Sequence, residues 1–206
     1  MRRVRFATYG LIAVVLALWG GWWFVSSGIR LAGLGGDALG VAGGVSVGGP
    51  FKLVDSAGKV IRDTDFRGKW MLVYFGYTFC PDVCPTELQL IASALDGLGP
   101  DAAKIAPIFI TIDPERDTPD VVGGYVKLFD DRLIGLTGSA ADIAAVARAY
   151  RVYYAKTTAK DATQYLMDHS SFIYLMGPDG KLRALYRPGS TAQELTAALR
   201  TRLEGR

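Results

Sequence analysis

At 206 residues, 50% of them hydrophobic, the chain carries enough apolar material for one packed domain, and with only two cysteines it is no disulfide scaffold. Its formal charge of +3 is local: without Arg2, Arg3 and Arg5, three of the 23 Lys and Arg, 20 basic residues stand against 20 Asp and Glu. That balance excludes a nucleic-acid binder, which needs a clustered basic face to neutralise phosphates.

Residues 6–29 carry no charge, and as a helix residues 6–25 measure roughly 30 Å at about 1.5 Å per residue, enough to cross a bilayer. The basic residues ahead of it place residues 1–5 in the cytoplasm, and Trp19, Trp22, Trp23 and Phe24 form an aromatic belt at the far interface. Residues 6–28 are therefore read as a single transmembrane anchor. A cleaved signal peptide is the alternative, with Val25-Ser26-Ser27-Gly28 as a loose cleavage site, but the apolar run is long for a signal core and no clear A-x-A follows. No cysteine follows the span, which excludes a bacterial lipoprotein anchor. Residues 29–49 read as a flexible linker, since residues 33–49 hold eight glycines in seventeen positions with almost no charge. A phosphate-cradling loop fails there, because no strand precedes it and no Gly-Lys-Ser/Thr follows.

The exported domain is expected over residues 50–206. It opens with a short hairpin, residues 51–55 and 60–62 around the turn Ser56-Ala57-Gly58-Lys59. The dense apolar run of residues 70–76 reads as a buried central strand, ending on a loop that holds Cys80 and Cys84. Pro85 fits the first turn of a helix that continues over residues 86–98 with Leu88, Ile91, Leu95 and Leu98 on one face. A strand over 105–112 leads into Asp113-Pro114-Glu115-Arg116-Asp117-Thr118-Pro119 and a helix over 120–129. There follow a strand at 133–136, a helix at 140–150, a strand at 152–156 and a polar loop at 157–163. Residues 172–176 and 182–186, joined by Gly177-Pro178-Asp179-Gly180, form the clearest hairpin. Thr191 and Glu194 make a capping box for a last helix ending near residue 203. This α/β order resembles that of a thioredoxin-like fold with an N-terminal hairpin and helical insertions, preceded by one transmembrane helix.

Cys80 and Cys84 stand four positions apart, which in a helical turn leaves about 6 Å or less between Cβ atoms, so both sulfurs can meet one object. The same spacing allows a disulfide. As a mere staple the bridge would be weak, since a loop of about five residues gains only about 2 kcal/mol. If Pro85 starts the helix, Cys84 is its N-cap, where free N–H groups and the dipole favour a thiolate. Asp82, between the sulfurs, opposes a depressed thiol pKa but favours a bound cation.

His169 is the only histidine, and it lies just before the strand at 172–176. In thioredoxin-like folds the corresponding loop faces the cysteine loop, and a cis-proline normally occupies the place that His169 takes here. Two thiolates and an imidazole form a trigonal set suited to Cu(I), with the imidazole also accepting Cu(II). Zinc accepts the same ligands but usually takes a fourth, which an aspartate can supply. Met71 and Met176 sit in strand patterns and read as core; Met167, two residues from His169, is a weaker candidate thioether ligand. The 113–119 block reads chiefly as a turn, with Asp117 or Thr118 capping the next helix.

Three blocks together, Phe75-Gly76-Tyr77-Thr78-Phe79-Cys80-Pro81-Asp82-Val83-Cys84-Pro85, the 113–119 stretch and Asp168-His169-Ser170, resemble the signature of the Sco/SenC family over residues 48–203. The resemblance implies a membrane-anchored copper metallochaperone for cytochrome c oxidase assembly. One copper would be held by Cys80, Cys84 and His169, and the protein would deliver it to, or reduce the thiols of, the dinuclear copper site in oxidase subunit II. It also implies an upstream copper donor or thiol reductant. On this reading the chain is a carrier rather than an enzyme. The first rival is a thiol-disulfide oxidoreductase with Cys80 and Cys84 as the redox-active pair, and the second a thiol peroxidase, for which the loop lacks an arginine. The expected location is the bacterial inner membrane, single-pass, with the C-terminal domain in the periplasm; the mitochondrial inner membrane facing the intermembrane space is the alternative.

Overall fold

Strands buried on both faces read as near-continuous apolar runs, and two seven-residue runs of this kind, β3 (Trp70–Gly76) and β4 (Ile105–Thr111), make the centre of the main sheet. The structure, a computed structural model, describes residues 46–158 and 164–205. Before β3 come β1 (Lys52–Val54) and β2 (Val60–Arg62), an antiparallel hairpin. The remaining elements are α1 (Val83–Leu98), α2 (Pro119–Lys127), β5 (Ile134–Leu136), α3 (Ala140–Ala149), β6 (Tyr154–Thr157), β7 (Leu166–His169), β8 (Ile173–Met176), β9 (Leu182–Tyr186) and α4 (Ala192–Leu203). The expected membrane span over 6–28, and the linker up to residue 45, lie outside the described residues. No helix among the described residues is long and apolar enough to cross a membrane.

The five-stranded sheet runs β5-β4-β3-β8-β9, with β3, β4 and β5 parallel and β8 and β9 antiparallel to their neighbours. This is the mixed α/β, thioredoxin-like arrangement the sequence leads one to expect. Side-chain alternation divides the core. Tyr74 and Phe109, opposite each other in register, share one face with Tyr125 of α2, whereas Phe75 and Tyr174 face the other way and pack on Tyr150 at the end of α3. Helix α1 buries Cys84, Leu88, Ile91 and Leu95, the stripe that the 3.6-residue period demands. Its outer side meets α4, where Thr196 Oγ1 donates to Ala94 O at 3.2 Å and a side chain at Gly97 would collide with Thr196 at 2.7 Å. Met71 and Met176 pair across β3 and β8 inside this core, as their strand patterns imply.

Two elements differ from expectation. The strand at 152–156 is shifted to β6, and residues 166–169, read as part of a loop, form β7, which pairs with β6 to make a two-stranded ribbon separate from the main sheet. Burial alternates along β7, with Met167 buried and Leu166 and Asp168 exposed, but the sequence Leu-Met-Asp-His sets two apolar residues side by side and shows no period-2 pattern. The predicted Thr191–Glu194 capping box is present, with the Thr191 amide donating to Glu194 at 2.7 Å.

Leu88 is fully buried one turn below Cys84, so Leu88→Ala removes about 2–5 kcal/mol from the unfolding free energy of the reduced protein, read from urea denaturation.

Candidate metal centre

Gly76 ends β3 directly beneath the cysteine loop: a Cβ there would lie 2.8 Å from Cys84 Sγ and 3.0 Å from the Phe109 ring, so only glycine lets the sulfur approach the strand end. Helix α1 then begins at Val83 with Asp82 as N-cap, two residues earlier than Pro85 suggested, and Cys84 stands inside the first turn instead of capping it. The early start works because the first-turn amides find other partners. Cys84 N donates to Cys80 Sγ at 3.4 Å, Thr86 N and Oγ1 donate to Asp82 O at 3.3 and 3.0 Å, and Pro85 has no N–H to satisfy. Cys80 thus supplies the capping atom.

The thiolate changes places with it. Hydrogen bonding from Cys84, opposed by burial and helped by His169, draws the Cys80 thiol down to about 4, whereas Cys80 and then burial push the Cys84 thiol up. The expectation of a Cys84 thiolate is corrected accordingly. Asp82 does not prevent the depression, because donors aimed at the Cys80 sulfur outweigh one exposed carboxylate.

His169 closes β7, opposite Tyr154, and the ribbon base is fixed by Ser170 N donating to Tyr153 O at 3.0 Å. The imidazole Nδ1 lies 3.1 Å from Ser170 O, a distance that calls for an Nδ1–H donor and leaves the Nε2 lone pair free. Nε2 stands 3.5 Å from Cys84 Sγ. Tyr74 and Tyr77 present ring edges to the imidazole, with centroids at 6.4 and 5.9 Å. One atom each from Cys80, Cys84 and His169 lies within 4.8 Å of the others, so the three residues named from the sequence converge in a set that can hold a metal ion. Met167, the fourth candidate, packs into the core from β7.

The 113–119 loop does more than turn. Thr118 caps α2 as expected, accepting from Val121 N at 3.5 Å. Asp117, fully buried, accepts from Thr78 N at 3.0 Å, Thr78 Oγ1 at 2.5 Å and Thr111 Oγ1 at 2.5 Å, which ties it to the cysteine loop two residues before Cys80. Burial pushes the Asp117 carboxyl up, against these donors. Asp113 accepts from Tyr165 Oη at 2.8 Å and pairs with Arg116 Nε. The sequence put this loop on the correct edge but gave no sign that its acids grip both halves of the site.

Sequence reading also passed over Glu87, buried on the inner face of α1, where burial pushes its carboxyl up to about 7. Its position three residues after Cys84, inside the apolar stripe, was the available signal. Glu87 Oε2, Tyr74 Oη and Tyr125 Oη are buried without hydrogen-bond partners. The Tyr74 hydroxyl nonetheless lies close enough to Cys84 for each to perturb the other.

The depressed Cys80 value has a definite pH signature. Its thiolate persists until pH falls to about 4, whereas the stability that thiolate contributes is complete above the unfolded value of about 8.5, declines as pH falls below it and is gone once pH passes about 4. Iodoacetamide labelling of the reduced protein, read by peptide mass spectrometry, is expected to hold its Cys80 rate between about pH 8 and pH 6 and to leave Cys84 unlabelled. A Cys80 rate that drops about tenfold per pH unit over that range contradicts the assignment.

Comparison with known proteins follows the same lines. The SCO1/SenC family model matches residues 41–204. Protein SCO1 homolog 1, mitochondrial, of Arabidopsis thaliana is 46% identical over 156 residues, 75% of this chain and 46% of that protein. The human Protein SCO1 homolog, mitochondrial, is 41% identical over 162 residues, 76% of this chain and 53% of that protein. The chain thus spans about half the length of the curated relatives it matches. The structure of Bradyrhizobium japonicum ScoI with copper bound superposes with a TM-score of 0.70 at 46% identity, over 76% of this chain and 99% of that one. For the crystal structure of Arabidopsis thaliana ScoI with copper bound the TM-score is 0.74 at 42% identity, over 78% and 100%. On profile, identity and fold together, the chain belongs to the SCO1/SenC family.

Proposed function

We propose that the chain is a membrane-anchored copper metallochaperone that binds one copper ion through Cys80, Cys84 and His169 and assists assembly of the dinuclear copper site in cytochrome c oxidase subunit II. The observation that carries this reading is the convergence of two sulfurs and an imidazole within 4.8 Å. Two soft thiolates and one imidazole suit Cu(I) in trigonal geometry, and among the described residues no further Cys, His, Asp or Glu joins the set, as a tetrahedral zinc site would require. Copper-bound structures of relatives at 46% and 42% identity support the choice of metal.

The residues divide the work. Cys80 enters as a thiolate, Cys84 gives up its proton as the metal binds, and His169 offers Nε2 while Ser170 O holds its ring. Copper is cargo here, so a three-ligand site with a half-buried imidazole lets a partner's ligands enter stepwise. Of the two locations, the mitochondrial inner membrane is the one supported by the curated relatives, which are named as mitochondrial.

The second reading, a thiol-disulfide oxidoreductase, draws on the depressed Cys80 thiol. Its thiolate would attack one sulfur of a partner disulfide, and Cys84 would then displace the partner's thiol, leaving both partner cysteines reduced and Cys80–Cys84 oxidised until a thiol reductant resets them. His169 takes no covalent part in that exchange and only helps to keep the Cys80 thiol low. Anaerobic Cu(I) titration of the reduced full chain, in competition with a chromophoric chelator, is expected to give one metal per chain, with affinity falling at least about tenfold in His169→Ala and further in Cys80→Ser. Efficient reduction of a disulfide substrate, combined with unchanged copper affinity in His169→Ala, favours the oxidoreductase instead.

A further inference from the structure

We propose that Arg116 is a positioning residue that holds the β6–β7 ribbon, and through it His169, against the cysteine loop before any metal arrives. The inference rests on the copper reading above for its consequence, but not for its geometry.

The ribbon lies outside the five-stranded sheet, so no shared strand ladder fixes it to the core. Its outer half is tied to the body at the 113–116 turn. Tyr165 Oη donates to Asp113 at 2.8 Å, Arg116 Nη1 donates to Tyr165 O at 2.9 Å, and Lys156 pairs with Glu115 at 2.6 Å. The Lys156–Glu115 pair is exposed on both sides and weakly held. Arg116 differs: its side chain is 21% exposed, its Nε is fixed by Asp113, and its guanidinium lies 3.8 Å from the Tyr165 ring centroid, 4.9 Å from Phe79 and 5.7 Å from Tyr77.

Those three rings belong to the two halves of the site. Phe79 adjoins Cys80, Tyr77 presents its ring edge to His169, and Tyr165 precedes His169 by four residues of extended chain. At about 3.3 Å per residue the Tyr165 anchor acts some 13 Å along the strand from the imidazole. The other end is held where Val152 N donates to Ala147 O of α3 at 2.8 Å and where the chain runs from Ser170 within three residues into β8 of the main sheet. A short strand pinned at both ends cannot swing its terminal imidazole away from Cys84. A planar cation stacked among rings makes the outer pin, a role for which lysine lacks both the flat face and the donor fork.

The test uses the full chain, reduced and copper-free, and then loaded. In copper-free protein, NMR is expected to show nuclear Overhauser contacts between the His169 ring protons and the Cys84 β protons. These are lost in Arg116→Ala and in Tyr165→Leu while resonances of β3, β4 and α1 stay in place. Competition titration is expected to show Cu(I) affinity falling about 10–100-fold in Arg116→Ala, with no recovery in Arg116→Lys. In a His169→Ala background the same Arg116→Ala change is expected to alter affinity by less than about threefold, because the residue it acts through is already gone. Tyr165→Leu cuts the same contact from the ribbon side and decides the matter if Arg116→Ala does not fold. Retention of the ring contacts in the variants, or an undiminished Arg116→Ala effect without His169, overturns the proposal. Should the parent take up no copper, the proposed function fails, while the ring contacts in copper-free protein still decide for or against the clamp.

Discussion

The approach of His169 Nε2 to Cys84 Sγ, 3.5 Å across 85 positions of sequence, is the constraint on which the rest of the architecture depends. No local interaction enforces a contact of that range; the sheet does. Because β8 runs antiparallel to β3, with Tyr74 opposite Ile173, the loop leaving β3 and the segment entering β8 emerge at the same edge. Because β4 runs parallel to β3, its carboxyl end delivers the 113–119 loop to that edge as well. Three segments therefore meet beyond the strand ends, where open α/β sheets generally assemble their sites.

Sheet order brings the loops together but does not hold their side chains to the tolerance a metal site needs. That precision comes from buried polar groups, which are costly unless they are satisfied. Asp117 spends its acceptors on Thr78 and Thr111, and Asp113 on Tyr165 and Arg116. The choice of acids next to two sulfurs looks unfavourable, since two thiolates and Cu(I) already carry net negative charge in a poorly solvated place. Arg116 offsets Asp113 directly, and burial holds the carboxyls of Glu87 and Asp117 toward their neutral forms. The pocket can thereby be rigid without stacking further negative charge against the sulfurs.

Much of this was legible in the chain because the relevant signals are local and strong. The apolar run of β3, the helical stripe of α1, the β8–β9 hairpin and the Thr191 capping box each follow from a period or a turn chemistry that a short window displays. The candidate metal set was legible for another reason: the chain holds only two cysteines and one histidine, and the likeness to thioredoxin-like folds and to the Sco/SenC signature puts that histidine beside the cysteine loop. What stayed hidden depends on who meets whom. A sulfur taking over the capping role from a residue four positions later, an arginine stacked among three rings and a glutamate turned inward all arise from tertiary neighbours that composition does not name. The β7 strand was missed because its partner is another short strand beyond a polar loop, and its own four residues carry no apolar period.

The distribution of burial over the three donors bears on how a carrier can both retain and surrender its metal. Cys84 is sealed under Gly76 and Tyr74 on a helix that packs along its whole length, and Cys80 is held by the first turn of that helix. His169 sits at the end of a two-stranded ribbon that shares no strand pairing with the main sheet. On the proposed reading the two sulfurs form the rigid floor and the imidazole the movable wall, so an incoming ligand meets least resistance where His169 closes the site. Retention then draws on contacts that never touch the metal, those of the ribbon with the 113–116 turn and of Met167 with the core. A partner able to compete for the exposed Phe79 or for Tyr165 would loosen the third ligand without breaking a metal–sulfur bond. On that reading release is a matter of displacing an aromatic contact at the surface, not of pulling a thiolate out of a helix.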